Sequence, residues 1–352
     1  MISVSGFHVG SGNRMTLDWS PLEKLIGSHQ KFLLTTHVRP DGDALGSEVG
    51  LAELLQSRGR DVRIVNVSET PARYDFLDPQ GARFHQFNEL GAHPADLLDR
   101  EALIILDLSS WSQLAGMADF VRAFTGPRLV IDHHVSQDDM GAVMLKDPTA
   151  ESTGTLVLRA ARALNVSLNP AMATGLLTAI TMDTGWLRHP STTPDTLRDV
   201  AELVQAGASL TGTYRFIFER NSLSRMRLMG ETLAGLRTAC EGRVAYASVT
   251  LKDLERTGAT SQDTEDLIDA TVSLRGVEVG LLFTELSRGG VKLSLRSREG
   301  FDCAKFAGQF GGGGHRAAAG ASLPDPLEEQ VSKVVQLVSQ QVQAQRGPVV
   351  SA

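Results

Sequence analysis

Short clusters of histidine and aspartate follow apolar segments in the first half of the chain. The first cluster is HVRPDGD, in which His37, Asp41 and Asp43 lie within seven residues, with Pro40 and Gly42 bending the loop. Imidazole and carboxylate groups together are typical ligands of divalent first-row metal ions. A structural interpretation competes with this one, because Asp43 could instead be the N-cap of the helix that follows.

Three further clusters offer the same kinds of ligand. Asp107 follows the apolar run LIIL. Burying a carboxylate costs free energy, so Asp107 should lie at the end of the strand. The alternative is that Asp107 only caps the next helix. Asp132, His133 and His134 follow RLVI. Neighbours on an extended chain point in opposite directions, so one imidazole could bind metal while the other faces a substrate, and Asp132 could orient an imidazole. Asp183 follows the apolar helix pattern GLLTAI.

This mixture of oxygen and nitrogen ligands suits Mn²⁺, Mg²⁺, Fe²⁺ or Co²⁺ better than a structural zinc ion. Two such ions about 3.5–4 Å apart recur in enzymes that catalyse in-line displacement at phosphorus. The clusters therefore predict metal-assisted hydrolysis of a phosphate ester.

The elements that must position these clusters alternate between strand and helix patterns. Strands are predicted over Phe32–Thr36, Val62–Val67, Leu103–Leu108 and Arg128–Ile131. Helices are predicted over Ala44–Arg58, Ser152–Leu164 and Ala171–Met182. This alternation indicates an α/β fold with a doubly wound parallel sheet, whose ligand sites lie at the carboxyl ends of the strands.

After Pro194–Arg237, which reads as helical throughout, the pattern changes. Strands are predicted over Arg243–Thr250, Gly276–Glu285 and Val291–Arg296, and helices over Asp263–Leu274 and Glu328–Gln345, which together indicate a second, smaller α/β domain. One segment of it could contact an anion through backbone N–H groups and basic side chains. That segment comprises Gly311, Gly312, Gly313, Gly314, His315 and Arg316, and the strand that ends at Arg296 and Ser297 precedes it.

The charge and composition of the chain restrict the classes of binding partner that are expected. The chain has 352 residues, of which 41 are acidic and 34 basic, giving a formal net charge of −7. This balance argues against binding long duplex nucleic acid, which usually requires a basic surface. The chain has two cysteines far apart in the sequence, and it shows neither an apolar stretch of membrane-spanning length nor a signal-peptide pattern. We therefore expect a cytoplasmic protein without a membrane partner.

The motifs resemble those of the DHH phosphoesterases. THVRPDGDALGS, LDLSS, IDHH, AESTG and MDTGWL occur in that order, and SLRSR followed by GGGGHRAAAG resembles the accompanying DHHA1 domain. Within the superfamily the chain is most similar to the bacterial group that combines oligoribonuclease (nano-RNase) and pAp phosphatase activities, pAp being adenosine 3′,5′-bisphosphate. One motif departs from the pattern: many relatives carry an acid and an arginine after the aspartate that corresponds to Asp107, where this chain has LSSWSQ.

The resemblance implies an organisation of the chain and a role for each cluster. It implies a flexible tail over 1–14, a DHH catalytic domain over 15–204, a helical linker over 205–237 and a DHHA1 substrate-binding domain over 238–345. One metal ion would be bound by His37, Asp41 and Asp107, and the other by Asp43, Asp107, His133 and Asp183. The two ions would be manganese, with magnesium or cobalt as alternatives. His134 would act on the substrate as a hydrogen-bond donor or general acid, supported by Asp132.

The expected activity is hydrolysis of short oligoribonucleotides to mononucleotides, removal of the 3′-phosphate of pAp, or both. The substrate-binding residues would be Arg296, Ser297, the four glycines Gly311 to Gly314, His315 and Arg316. Alternatives within the superfamily are a linear or cyclic dinucleotide phosphodiesterase, a single-strand exonuclease and an inorganic pyrophosphatase. An alternative of a different class is a non-catalytic nucleotide-binding regulator. The sequence leaves open whether the protein forms a homodimer.

Overall fold

In the computed structural model the chain divides into two compact units, with the division between Arg220 and Asn221. The structure describes residues 17–87, 97, 99–135, 137–298, 300–314 and 316–345. The predicted tail over 1–14 and the predicted substrate residue His315 lie outside the described residues. The division lies within the segment predicted as a helical linker.

The first unit is built on a parallel sheet of six strands in the order β3-β2-β1-β4-β5-β6. The strands are β1 (Lys31–Thr35), β2 (Asp61–Asn66), β3 (Phe84–Gln86), β4 (Ala102–Leu106), β5 (Arg128–Asp132) and β6 (Val143–Lys146). Its helices are α1 (Ser20–Ser28), α2 (Gly42–Ser57), α3 (Ala118–Ala123), α4 (Thr153–Ala163), α5 (Pro170–Asp183), α6 (Pro194–Gln205) and α7 (Leu210–Phe218). Segments of 3₁₀ helix span Ala72–Leu77 and Trp111–Met117.

Both faces of this sheet are covered, because successive side chains of a strand point to opposite faces. Phe32 and Leu34 of β1 pack with residues of α1, α2, α4 and α5 in one core. Leu33, between them, packs in a separate core with residues of α3 and the second 3₁₀ helix. Helices on both faces confirm the predicted doubly wound α/β fold.

The second unit contains a mixed sheet of six strands in the order β11-β12-β10-β9-β8-β7. Only β8 and β9 pair in parallel among its described strands. The strands are β7 (Arg237–Ala239), β8 (Val244–Val249), β9 (Val279–Glu285), β10 (Val291–Ser297), β11 (Gly313–Gly314) and β12 (Ala318–Leu323). The helices are α8 (Leu223–Ala234), α9 (Leu251–Thr257), α10 (Ile268–Val272), α11 (Cys303–Gly308) and α12 (Leu327–Gln345), with a 3₁₀ helix at Ser261–Thr264.

Two helix predictions are wrong in detail. The segment 194–237 is not helical throughout: α6, α7 and α8 are separated by loops, and the segment ends on the first residue of β7. Gly207 has a positive φ of 108° after α6, a conformation that ends the helix. The predicted helix Asp263–Leu274 is reduced to α10, because Asp266 adopts a left-handed conformation with φ 62°.

Among the described residues, no helix combines the length and apolarity needed to span a bilayer.

Candidate metal centre

The predicted metal ligands of the first unit meet at one edge of its sheet. Strands β1, β4 and β5 are neighbours and parallel, so their carboxyl ends lie side by side. The clusters that follow these three strands therefore converge, as expected for an open α/β sheet. Asp183 joins them from a helix, since it is the last residue of α5.

Close packing of α2 against α5 brings Asp43 and Asp183 to the same place. A Cβ atom on Gly46 of α2 would lie 2.3 Å from the carbonyl oxygen of Gly175 in α5, so neither helix could approach so closely with a larger residue there. A glycine contact of this kind fixes the distance between the start of α2 and the end of α5.

The loop after β1 starts α2 with a carboxylate cap. The Asp41 side chain accepts hydrogen bonds from the backbone N–H groups of Asp43 and Ala44, at 2.9 and 3.1 Å. The structural alternative that made Asp43 the cap is therefore wrong: Asp41 caps the helix. This leaves the Asp43 carboxylate, which is buried, to face the first turn of α4.

The N-terminus of α4 holds the carboxylates in place. The backbone N–H groups of Thr153 and Gly154 donate to Asp43 at 2.8 and 3.0 Å, and the Thr153 hydroxyl donates to Asp107 Oδ1 at 2.9 Å. The exposed N–H groups of a helix start favour negative charge. Sequence reasoning gave Thr153 no role, although the motif AESTG was the signal that could have found it.

Asp107 lies directly after β4 in a left-handed conformation, with φ 60°. The predicted strand Leu103–Leu108 was therefore two residues too long at this end, and Asp107 caps no helix. Its Oδ2 lies 3.5 Å from His37 Nε2, while its Oδ1 lies 3.7 Å from His133 Nε2. One carboxylate thus presents an oxygen to each of two groups of ligands.

His133 lies between three carboxylates. Its Nε2 is 3.3 Å from Asp183 Oδ2, 3.6 Å from Asp43 Oδ2 and 3.7 Å from Asp107 Oδ1. Its Nδ1 lies 3.2 Å from the carbonyl oxygen of Ala150, which can only accept, so the ring proton belongs on Nδ1. The lone pair of Nε2 is therefore directed at the carboxylates, as a metal ligand requires.

His134 does not point away from His133, so that part of the sequence reasoning is wrong. The two ring centroids are 4.8 Å apart, and His134 Nδ1 lies 3.7 Å from Asp107 Oδ1. Strand β5 ends at Asp132, so the alternation of an extended chain no longer applies to the two histidines. His134 Nδ1 and backbone N–H both contact Asp132 Oδ1, at 2.7 and 3.1 Å, which places Asp132 behind the imidazole as expected.

The donor set fits divalent ions. Three groups of side chains bring their ligand atoms within 4.8 Å of one another, namely His37, Asp41 and Asp107; Asp43, His133 and Asp183; and Asp107, His133 and His134. Ions such as Mg²⁺ and Zn²⁺ bind oxygen and nitrogen at about 2.0–2.2 Å, so ligand atoms around one ion lie roughly 3–4.4 Å apart. The separations around His133 and Asp107 fall in this range.

The electrostatics also favour a cation. Burial raises the pKa of the Asp107 carboxyl well above its usual range, and the nearby Asp43 and Asp41 raise it further. Burial likewise raises the pKa of Asp183 to about 8. Burial alone would lower the pKa of His133, but the surrounding Asp183, Asp43 and Asp107 carboxylates raise it to about 9. Buried negative charge of this density is stabilised by a bound cation or by protons.

Comparison with known proteins assigns this centre to a family. Residues 31–180 match the DHH family N-terminal domain, and residues 241–344 match the DHHA1 domain. The chain is 32% identical over 312 residues to the bifunctional oligoribonuclease and PAP phosphatase NrnA of Thermus thermophilus, covering 88% of this chain and 89% of that one. The chain belongs to the DHH/DHHA1 phosphoesterase family. With the His/Asp cluster, this membership makes the protein a metal-dependent phosphoesterase of the DHH superfamily.

A second relative and a solved structure agree with this assignment. The protein of the same name from Bacillus subtilis is 26% identical over 313 residues, covering 86% of this chain and 92% of that one. The solved structure of an exopolyphosphatase-related protein from Bacteroides fragilis superposes with a TM-score of 0.86 at 25% identity, covering 92% of this chain and 97% of that one. The similarity therefore extends through both domains of the family.

Three of the predicted substrate residues of the second unit, Arg296, Ser297 and Arg316, lie at the end of β10, where Ser297 Oγ lies 3.4 Å from the carbonyl oxygen of Arg316. Arg296 and Ser297 end this strand, and Arg296 Nε lies 3.4 Å from Asp269 Oδ1. Ser297 Oγ donates to the carbonyl oxygen of Phe301 at 2.8 Å. Arg316 is exposed, and its carbonyl oxygen accepts from the backbone N–H of Cys303 at 2.8 Å.

The glycine run is more ordered than an open anion-binding loop. Gly313 and Gly314 form β11, which pairs with β12. The N–H groups of Gly311 and Gly312 donate to the carbonyl oxygens of Gly308 and Ala307, at 3.2 and 3.0 Å. These two N–H groups are therefore used within the chain, and the expectation that they turn toward an anion is wrong for them.

Proposed function

We propose that the protein hydrolyses short oligoribonucleotides to mononucleotides and removes the 3′-phosphate of pAp, using two divalent cations, with manganese as the first candidate. One observation carries the two-metal part of this proposal: the two oxygens of Asp107 face different histidines, His37 on one side and His133 on the other. A carboxylate in this arrangement can bridge two ions.

One ion would be held by His37, Asp41 and Asp107, and the other by Asp43, Asp107, His133 and Asp183. When bound, such a pair of ions activates a water molecule as nucleophile and neutralises charge that develops on the phosphoryl oxygens. The backbone contacts from α4 to Asp43 and from Ala150 to His133 hold these ligands in place.

His134 is proposed to act on the substrate rather than to bind metal permanently. The Asp132 carboxylate only accepts hydrogen bonds, so it keeps a proton on His134 Nδ1. Nε2 is then the ring nitrogen left for the substrate, and in the imidazolium form of His134 it can donate a proton to the leaving group or a hydrogen bond to a phosphoryl oxygen. The His134 side chain is 22% exposed, whereas Asp132 is fully buried, which fits a substrate-facing imidazole on a buried support.

The short-substrate part of the proposal has two supports. The net charge of −7 disfavours a long polyanion, whereas a short one needs only a few local contacts. The relatives from Thermus thermophilus and Bacillus subtilis are both named as bifunctional oligoribonuclease and PAP phosphatase. We propose that Arg296, Ser297, Gly313, Gly314, His315 and Arg316 bind one end of the nucleotide. Gly311 and Gly312 are left out, because their N–H groups are used within the chain.

The proposal is tested by offering one preparation a graded set of substrates with Mn²⁺. The set contains pAp, 5′-labelled RNA from two to five residues, an RNA of 24 residues, linear pApA and cyclic di-AMP. We expect turnover of pAp and of the short series, with kcat/KM falling sharply for the long RNA. The Asp107→Asn variant is the matched control for contaminating nucleases.

Other outcomes would replace the proposal. Preferred cleavage of cyclic di-AMP or of the long RNA would make the protein a cyclic-dinucleotide phosphodiesterase or a single-strand exonuclease of the same superfamily. Tight binding of a nucleotide without turnover, under Mn²⁺, Mg²⁺ and Co²⁺ alike, would make it a non-catalytic regulator.

A further inference from the structure

A lysine lies behind the Asp132–His134 pair. Lys146 is the last residue of β6 and the register partner of Asp132, the last residue of β5, so the two side chains leave the same face of the sheet. Its side chain is only 9% exposed, and its Nζ lies 3.2 Å from Asp132 Oδ2. A lysine so far buried requires a specific partner.

Ser109 completes the contact between them. The Lys146 ammonium donates to Ser109 Oγ at 2.7 Å, and Ser109 Oγ lies 2.6 Å from Asp132 Oδ2. An ammonium can only donate and a carboxylate can only accept, so the single hydroxyl proton of Ser109 must point at Asp132. The Asp132 carboxylate therefore receives Ser109 and Lys146 on Oδ2 and His134 on Oδ1.

This chain of donors has one direction, from Lys146 through Ser109 to Asp132. Donors already contact both oxygens of Asp132: Lys146 and Ser109 contact Oδ2, and the backbone N–H of His134 contacts Oδ1. A carboxylate that is paired with an ammonium accepts hydrogen bonds, so the His134 ring nitrogen that faces it must be the donor. The ring is thereby fixed in one tautomer and one orientation.

We propose that Lys146 is a positioning residue for His134, acting through Ser109 and Asp132 to hold the imidazole with its proton on Nδ1. Ser109 follows β4 and Lys146 ends β6, so the two residues lie far apart in the sequence and are brought together at this edge of the sheet only by the fold.

The inference rests on the substrate-facing role proposed for His134, and its test separates the two. The first readout needs neither metal nor substrate: long-range ¹H–¹⁵N correlation spectra of metal-free protein, with the His134 signals assigned from a His134→Gln variant. In spectra of the neutral form of the ring, wild-type protein should show a protonated Nδ1 and an unprotonated Nε2 on His134. Lys146→Met should show a mixture of tautomers or averaged nitrogen shifts, and Lys146→Arg should restore the wild-type pattern.

The second readout is kinetic, with bis-p-nitrophenyl phosphate and an RNA dinucleotide as substrates. Loss of a supporting hydrogen-bond partner should lower kcat by about 10- to 100-fold in Lys146→Met, with KM and bound manganese nearly unchanged. Ser109→Ala breaks the same chain without removing a charge and should give a smaller loss in the same direction. Lys31→Met is the matched control, because Lys31 also lies on this sheet and contacts a carboxylate, Asp99, at 3.1 Å.

Several results would overturn the proposal. An unchanged His134 spectrum in both Lys146→Met and Ser109→Ala would show that neither residue positions the ring. A raised KM with unchanged kcat would mean that Lys146 contacts substrate directly. If neither substrate is cleaved by wild-type protein but the spectra change as expected, the proposed function fails while the positioning role stands.

Discussion

Replacing Glu48 with glutamine should stabilise the metal-free protein, and the gain should grow with pH. Glu48 lies in α2 and is fully buried. Its Oε2 accepts from Asn66 Nδ2 at 2.8 Å, and its Oε1 has no hydrogen-bond partner among the described residues. Asn66 Oδ1 in turn accepts from the backbone N–H of Thr36 at 3.1 Å, directly before His37. Glutamine has the shape of the protonated acid and keeps an oxygen for Asn66.

The size of the effect follows from the shift in the pKa of Glu48. Burial raises this pKa from 4.5 to about 8, against a smaller opposite effect of the Asn66 hydrogen bond. Between pH 4.5 and 8 the folded state therefore holds a proton that the unfolded state has released. Stability is then greatest below the unfolded pKa and falls as the pH rises toward the folded one. Through this group the free energy of unfolding of the wild type should fall by about 2.5 kcal/mol from pH 5 to pH 7. The Glu48→Gln variant has no carboxyl group at this position and should not show this decrease.

The assay is urea unfolding of both proteins in EDTA at pH 5, 6, 7 and 8. The free energy of unfolding of Glu48→Gln should exceed that of wild type by an amount that increases at each step and flattens near pH 8. Glu53→Gln is the control on the same helix, because Glu53 Oε1 pairs with Arg83 at 2.7 Å and its loss should not stabilise. A gain that is independent of pH, or a loss at pH 7, would refute the reasoning.

Three further predictions concern the proposed site. Asp107→Asn should lower the manganese bound per chain, measured by metal analysis, and should reduce kcat at least about a hundredfold, because loss of a residue that only supports a metal ligand can already reduce activity that much. Two equivalents of manganese still bound per chain would contradict the bridging role. His133→Ala should lose metal, whereas His134→Ala should keep it and lose kcat, and equal metal loss in both would exclude the division of roles. Arg296→Ala should raise KM for an RNA dinucleotide about tenfold or more, while hydrolysis of bis-p-nitrophenyl phosphate changes far less; parallel loss on both would mean that Arg296 supports the fold.

The architecture of the first unit was predictable because its strands are long apolar runs. KFLLT, ALIIL and RLVID are buried almost throughout, as strands of a parallel sheet covered on both faces must be. The convergence of the site followed from the same pattern, because parallel neighbours bring their carboxyl ends together. The structure brings His37, Asp107 and His133 together as expected, and their individual metal roles stay predictions.

Other features depend on contacts that a single sequence does not display. β3 has three residues and β6 has four, too few for a period of two to be recognised. β12 reads AAGASL, whose small residues predict a loop until β10 pairs with them. Lys146 looks like an ordinary surface lysine at the end of such a short strand. Its burial arises only because β5 lies beside it and ends in Asp132.

The hydrogen bonds at the site fix the carboxylates without neutralising them. Asp41 caps α2, Asp43 accepts from the first turn of α4, and Asp107 accepts from the Thr153 hydroxyl. Dipolar N–H and O–H groups orient these oxygens, but they supply only partial charges against several buried negative groups. The geometry is therefore set by the polypeptide, whereas the charge balance is left to protons or a cation. A cation that binds displaces those protons, so metal affinity should rise with pH over the range in which the metal-free fold loses stability.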